Sequence, residues 1–430
     1  MVATPFDVAS ARALTGADWL KAARVEAAER LMETPYPDPS EEIWRYSRVA
    51  ELDLARFAPV TTPRRGGPAV PAPVKALLDS IGTTAATVVA VDGKVTRLAG
   101  DPALAAKGLT VGMVDRADLV GSVMSEPTDW FADLNSAFVV DPVQVTVRAG
   151  LAVTAPVVVV NYLETPGAAT FPRLVVTAGE DAEVTVVDVV MSPDGVLALT
   201  VPVVEVAAGQ AARVRVIAVN ELGSDAWQVG SLVSRGDRDS TTTLTTVALG
   251  GYYARMRIDA RLAGQGANGD QLAAYFGSGR QMHDFRTLQD HQAPKTRSNL
   301  LFKGVLDDEA RSVYTGLIKV RPEAKGTDAF QTNRNVKLSK DAWAESVPNL
   351  EIETNDVRCS HASTVGPVDE DQLFYLESRG VPTTTAERLV VLGFLDEVIA
   401  GLSVPALTHR LRAAVVERLD RHAAAHPEAV

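Results

Sequence analysis

Two stretches decide the fold, Val176-Thr-Ala-Gly-Glu-Asp-Ala-Glu-Val184 and Val206-Ala-Ala-Gly-Gln-Ala-Ala-Arg-Val214, with a shorter copy in Val147-Arg-Ala-Gly-Leu-Ala-Val153. All share a Val-x-Ala-Gly core, and Gly150, Gly179 and Gly209 are spaced by 29 and 30 residues. Leu262-Ala-Gly-Gln-Gly266 reads as a further copy two periods on. A repeat of this length is the signature of a stacked architecture. Short Val-rich runs between glycine turns suit strands, because β-branched side chains pack well on a pleated surface. The pattern predicts a β-helix, or β-solenoid, with each glycine at a corner supplying a positive φ. An antiparallel sandwich, whose hairpins would also recur, is the competing reading.

Outward from the repeats, Thr87–Val91 and Lys94–Arg97 flank Asp92-Gly93, a type I′ hairpin signal. Short helices are expected near Leu104 and between Val120 and Leu134. β-Texture runs on through Thr241–Leu249, Tyr253–Asp259, Ser312–Val320 and Leu350–Thr354, and stops near Gly366. Upstream, residues 1–34 read as helical, with Trp19, Ala22, Ala23, Ala27 and Leu31 as the apolar stripe. Pro35, Pro37 and Pro39 end that helix, and Trp44-Arg45-Tyr46 reads as a docking segment packing its two aromatics. The Pro/Gly-rich run 59–73 reads as a mobile linker. Downstream, Asp369 to Asp371 open a helix that Arg379-Gly380 closes. Thr383 is expected to cap a second helix, with Leu389, Leu392, Leu395, Val398 and Ile399 as its apolar face. Pro405 starts a third, with Leu407, Leu411, Val415 and Leu419 on one side, and the tail from His422 is expected to fray. The domains are therefore 1–58, an N-terminal helical segment; 59–83, a linker; 84–366, the β-helix core; and 367–430, a C-terminal helical domain.

Composition limits the function. A net charge of −12 argues against nucleic acid and against an anionic membrane surface as partner. No window approaches the roughly 20 apolar residues of a membrane span. The opening Met-Val-Ala-Thr-Pro-Phe-Asp has no signal-peptide pattern, so the expected compartment is the cytoplasm. Cys359 is the only cysteine, so no intrachain disulfide forms, and in a reducing compartment its thiol is a candidate soft-metal ligand. No Walker A or dinucleotide glycine motif is present, so the chain itself is not expected to hold a nucleotide.

Cys359 and His361 stand two residues apart, so in an extended strand they share a face. A thiolate with an imidazole suits iron–sulfur species, zinc or copper, but two ligands cannot close a tetrahedral site. A buried thiol beside a hydrogen-bonded histidine is the bland alternative. His283 and His291, with Asp284 and Asp290, form a weaker candidate set whose eight-residue spacing fits no standard zinc pattern. Lys295, Arg297 and Lys303 are candidates for anion binding or, more simply, strand-face and interface cations. Asp307-Asp308-Glu309 invites comparison with the carboxylates of β-helical carbohydrate-acting enzymes, or is a solvated corner.

The motifs carry a further resemblance. Cys359-Ser-His-Ala-Ser-Thr-Val-Gly366, then Asp371-Gln-Leu-Phe-Tyr-Leu-Glu-Ser-Arg-Gly380, resembles the C-terminal signature of the SufD branch of the SufB/SufD family. Ala293-Pro-Lys-Thr-Arg-Ser-Asn299 and Lys303-Gly-Val-Leu-Asp-Asp-Glu-Ala-Arg-Ser312 resemble the core that the two branches share. Leu376 stands where SufB-like chains carry a cysteine. Ala362 departs from the glycine of many relatives. The resemblance implies a right-handed β-helix core between helical domains. It also implies a non-catalytic scaffold subunit of an iron–sulfur cluster assembly complex. Such a subunit pairs through its β-helix with a SufB-like subunit and docks a SufC-like ATPase on its C-terminal helices. It implies that His361, with Cys359, faces a nascent iron–sulfur cluster or iron shared with the partner. A β-helical carbohydrate-acting enzyme and a metal-free structural solenoid are the alternatives.

Overall fold

The computed structural model describes residues 5–60 and 70–425. The described chain opens with helices α1 (Val8–Ala13) and α2 (Asp18–Glu33), three 3-10 turns and a two-residue strand β1 (Ala58–Pro59). Helix α3 (Ala72–Ile81), the hairpin β2 (Ala86–Val91) and β3 (Lys94–Gly100), helix α4 (Pro102–Lys107), β4 (Leu109–Met113) and α5 (Trp130–Phe138) follow. The solenoid strands are β5 (Val143–Val147), β6 (Val157–Tyr162), β7 (Ala168–Thr170), β8 (Arg173–Ala178), β9 (Glu183–Met191), β10 (Leu199–Thr200), β11 (Val203–Ala208), β12 (Arg213–Glu221) and β13 (Trp227–Gly236). They continue as β14 (Thr241–Ala248), β15 (Tyr253–Leu262), β16 (Asn268–Gly277), β17 (Met282–His291), β18 (Arg297–Leu306), β19 (Arg311–Val320), β20 (Thr327–Lys337), β21 (Trp343–Ile352) and β22 (Val357–Pro367). Three helices close the described chain: α6 (Glu370–Ser378), α7 (Thr383–Ile399) and α8 (Pro405–Ala425).

These strands wind a β-solenoid of about eight turns. Each rung contributes one strand to each of two sheets, parallel except for the antiparallel end pairs β4–β5 and β2–β3. One runs β21-β19-β17-β15-β13-β11-β8-β5-β4, and the other β22-β20-β18-β16-β14-β12-β9-β6-β2-β3. Register partners in the second sheet lie 30, 28, 27, 29 and 31 residues apart from Glu183 to Asp328, the period read from the glycines. Parallel pairing at that offset excludes the sandwich. Both faces of most strands are covered, which is why they read as continuous Val/Ala runs rather than alternating ones. Val184, Val186, Val204, Val206, Val214 and Val216 fill the interior. Helices α3, α7 and α8 cover the outer face of the β22-to-β3 sheet. Helices α1, α2 and α5 and the segment around Trp44 cover the outer face of the other sheet.

The corner chemistry differs from expectation. Gly150 has φ +72°, but Gly179 and Gly209 are not left-handed. Positive φ falls two residues later, at Asp181 and Ala211. What Gly179 and Gly209 supply is proximity: a Cβ on Gly179 would stand 2.7 Å from the Ala149 nitrogen, and one on Gly209 3.0 Å from the Ala178 oxygen. Successive corners stack backbone on backbone, and only a glycine fits between them.

Other local readings shift in the same way. The buried side of α2 is Leu20, Arg24, Ala27, Ala28 and Leu31, rather than the stripe through Trp19, Ala22 and Ala23. Arg24 can be buried because its guanidinium donates to the carbonyls of Leu14, Thr15, Val139 and Val140. The helix expected within 120–134 is confined to α5. The loop before it curls around Glu205, whose carboxylate accepts from the backbone N–H of Gly121, Val123 and Met124 at 2.9–3.0 Å. Within the stretch read as linker, α3 is a packed helix with Val74, Leu77 and Ile81 buried, while 61–69 lies outside the described residues. Pro382 rather than Thr383 occupies the cap of α7. His422, expected to fray, is buried and hydrogen-bonded to Asp307 at 2.9 Å; His426 lies outside the described residues.

Candidate functional site

The interior of the solenoid changes character along its axis. After the aliphatic early turns comes an aromatic stack, Tyr275–Phe285–Phe302–Tyr314, with ring centroids 4.9, 5.3 and 5.5 Å apart. Glycine makes room for it: a Cβ on Gly304 would run into the Tyr275 ring, and one on Gly316 into the Tyr314 hydroxyl. Beyond the aromatics the interior turns polar. Tyr314 donates to Gln331 at 3.0 Å, Tyr275 to Asn335 at 2.6 Å, and Asn335 to Asn333 at 2.9 Å. Buried amides tolerate this setting because each finds a partner.

The last rung carries the two residues singled out by the motif. Strand β22 pairs with β20 on one side only, so it forms the edge of its sheet, as β21 does of the other. In register, Cys359 lies beside Ala329 and His361 beside Gln331. Ala329 and Gln331 are buried in the interior column, so Cys359 and His361 lie on the same interior-facing side of the terminal strand. Cys359 is half-buried against Ile318, Val320, Ala324 and Ala329, and that burial pushes its thiol pKa up. A metal captured there must displace the thiol proton. His361, with no rung above it, is exposed. Among the described residues no group of three or more His, Cys, Asp or Glu side chains is placed to hold a metal. Any closed site at this end therefore needs ligands from outside the described chain.

The other candidates disperse. His283 and His291 lie at opposite ends of β17, roughly 27 Å apart at about 3.4 Å per residue, too far to share an ion. Burial drives each imidazole down to about 4, so both are neutral. His291 sits between the hydroxyls of Thr296 (2.8 Å) and Ser298 (2.9 Å). Asp284 pairs with Arg255 and Arg286, and Asp290 with Arg321. Arg297 pairs with Asp328 at the surface. Lys303 is buried, paired with Glu397 of α7 and 4.5 Å from the Phe394 ring centroid, so it fastens a helix to the sheet. Asp307 is the buried acceptor for His422, while Asp308 has φ +52° and accepts from Gly279 N–H, both corner roles.

A second surface adjoins the first. Helix α6 buries none of its residues, and Phe374 and Tyr375 are 72% and 59% exposed. Leu389, expected on the inner face of α7, is half exposed; the packed face is Ala386, Val391, Leu395, Val398 and Ile399. Between α6, α7 and the outer face of β18, β20 and β22 lies a cleft of about 860 Å³, with Lys303 and Arg334 on the sheet side and Tyr375, Leu376 and Phe394 on the helix side. Sequence patterning cannot separate an apolar face that is packed from one that is left open, because both repeat every three to four residues.

Comparison with known proteins gives the family. Residues 161–394 match the family model described as "SUF system FeS cluster assembly, SufBD core domain". The chain is 40% identical over 225 residues to an iron–sulfur cluster assembly SufBD family protein of Mycobacterium bovis, covering 50% of this chain and 57% of that relative. It is 28% identical over 421 residues to the iron–sulfur cluster assembly protein SufD of Bacillus subtilis, covering 93% and 94%. With SufD of Escherichia coli it shares 32% identity over 181 residues, or 42% and 43%. The chain thus spans little more than half the length of the mycobacterial relative and nearly all of the Bacillus one. The family model, the solenoid and the motif on its terminal rung coincide, and the chain belongs to the SufB/SufD family of the SUF system for iron–sulfur cluster assembly.

Proposed function

We propose that this chain is a SufD-like scaffold subunit of a SUF assembly complex, cytoplasmic and without catalytic chemistry of its own. The observation that carries the reading is the unpaired edge of β22 with Cys359 and His361 on its interior-facing side. A parallel strand edge left open offers its backbone donors and acceptors to another chain. A SufB-like subunit pairing at β21 and β22 would extend both sheets and bring its own ligands above His361. The nascent iron–sulfur cluster, or the iron that precedes it, is cargo of that junction. His361 would be the donor from this side, and Cys359, with its raised thiol pKa, an auxiliary one. The exposed Phe374 and Tyr375 and the cleft beneath α6 suit a second partner, a SufC-like ATPase that would bind the nucleotide. Among the described residues no helix is long and apolar enough to cross a membrane.

Mild affinity purification from the native cell, with mass spectrometry of the eluate, tests the partners. A β-helical paralogue and an ABC ATPase in the eluate support the scaffold reading, and elution of the chain alone counts against it. His361→Ala in the co-purified complex tests the site. Cluster assembly should fall while the complex stays intact, and unchanged assembly removes His361 from the site.

A further inference from the structure

Outside that junction, one buried charge cluster lacks a counter-charge. On the outer face of the β21-to-β4 sheet, Arg255 donates to Asp284 at 2.8 Å and Arg286 donates to the other oxygen of the same carboxylate at 3.0 Å. Tyr253 adds a third donor at 2.7 Å. Arg255, Arg286 and Asp284 are 2%, 8% and 0% exposed. Two buried guanidinium groups thus share one carboxylate and leave a net positive charge where water is scarce, which is costly unless an anion completes it. Arg257, next along β15, is balanced by Asp259. Asp129 acts on Arg255 only through space, and Glu42 is a solvated carboxylate at the rim.

The donors are also incompletely used. Arg255 spends its terminal nitrogens on Asp284 and the Ile43 carbonyl and lies 4.0 Å from the Trp44 ring centroid, yet its Nε–H has no partner. Arg286 gives one bond each to Thr315 and the Arg45 carbonyl from terminal nitrogens that carry two protons apiece. These groups line a cleft of about 390 Å³, within the size range of small-molecule sites. Its other walls include Ile43, Leu288 and Leu317, the mutually paired Arg257 and Asp259, and Asn349 at the β21 end.

We infer that this cleft is a binding site for a small organic anion, a carboxylate or phosphate monoester with an apolar body. The anionic head meets Arg286, Arg255 and the Thr315 hydroxyl, and the body lies against Leu288 and Leu317. Arginine forks match both head groups in geometry. This inference does not depend on the scaffold reading.

The test is calorimetric titration of the full chain with phenyl phosphate and with benzoate. Inorganic phosphate and benzyl alcohol serve as the head-only and body-only controls. At least one of the two anions should bind with Kd no weaker than about 10 mM, and each control at least roughly tenfold more weakly. Which anion binds more tightly assigns the head group. Leu317→Trp, which fills the cleft from an outward-facing strand position, should weaken binding at least roughly tenfold; Leu288→Trp repeats the test from the neighbouring strand should the first variant fold poorly. Absence of binding by both anions, equal binding of either control, or binding unchanged in a folded cleft-filling variant would overturn the assignment.

Discussion

Asp188 makes the sharpest demand on the energetics of the fold. It lies buried on β9 at an interior position, with Val184 and Val186 on the same side of the strand. Its only side-chain hydrogen bond among those observed comes from Asn161 at 3.1 Å. Burial raises its pKa from 3.8 to about 7, and the Asn161 bond only partly opposes that. The sign follows from linkage. Below pH 4 the carboxyl is protonated in both states and carries no penalty. As pH rises towards 7 the unfolded chain gives up its proton while the folded chain keeps it, so stability falls across that window and levels off above it. Three pKa units at 1.36 kcal/mol each set a ceiling of about 4 kcal/mol above pH 7, of which roughly 3 kcal/mol falls between pH 5 and 8. A void of about 10 Å³ beside Asp188, lined also by Asn161, Asp141 and Arg173, has room for about one water. One water hydrating the carboxylate takes roughly 1 kcal/mol off the penalty, leaving about 1–2 kcal/mol between pH 5 and 8.

Asp188→Asn removes the titration and keeps both the shape and an oxygen that accepts from Asn161. The variant should therefore be more stable than the natural chain at pH 8, by about 1–2 kcal/mol more than at pH 5. Urea unfolding of both proteins at the two pH values, followed by circular dichroism, measures the difference. Comparing the two proteins cancels groups common to both, His422 included. If Asp188→Asn gains no more at pH 8 than at pH 5, the carboxyl is not held neutral in the interior and the argument fails.

Three further outcomes follow from packing and exposure. Gly304→Ala should destabilise by about 1–3 kcal/mol, because its methyl group must displace the Tyr275 ring and its bond to Asn335; an unchanged unfolding midpoint would contradict the stacked interior. Glu397→Gln removes the partner of buried Lys303, and since Glu397 itself is half exposed the loss should be about 1–2 kcal/mol, with faster amide exchange confined to α7. Phe374→Ala should leave the isolated chain within about 0.5 kcal/mol of its original stability, yet weaken ATPase capture in a pull-down; retained capture would show that α6 is not the docking face.

The sequence was most legible where local rules and the global fold agree. Val-x-Ala-Gly at a period near 30 residues predicts a solenoid because every rung solves the same packing problem. Leu407, Leu411, Val415 and Leu419 are all buried on α8, as their spacing requires. Legibility failed where a polar side chain does the work of an apolar one. Nothing in the periodicity of α2 marks Arg24 as a fully buried residue, since the carbonyls that satisfy it come from residues 14, 15, 139 and 140. Lys303, Asp307 and His422 likewise read as solvated or frayed, because their partners lie 94 and 115 residues away. The glycine corners were located correctly but for the wrong reason: the constraint at Gly179 and Gly209 is the neighbouring turn, which a single strand of text does not contain. For the candidate site, the motif located Cys359 and His361, but only the topology reveals that their strand is a free edge.

That edge and the C-terminal helices are not independent surfaces. Only Val368 and Asp369 separate the end of β22 from the first residue of α6, and Val368 is buried beneath the helices. Asp369 caps α6 by accepting from the Gln372 N–H at 2.9 Å, so the connection is short and fixed at both ends. Helix α7 is in turn held to β18 by Lys303–Glu397, and α8 to the β18–β19 corner by His422–Asp307. The inner layers of the helical unit are thus fastened to the solenoid, while α6, with no buried residue, is the element free to respond to a partner. On the scaffold reading, a partner that moves α6 pulls on a strand whose outer edge is unpaired and whose interior-facing side carries Cys359 and His361. A single glycine lengthening the chain between Pro367 and Asp369 would separate the two effects. ATPase capture through α6 should survive the insertion, and nucleotide-dependent change at His361 should not. If both survive, the short connection does not couple the two surfaces.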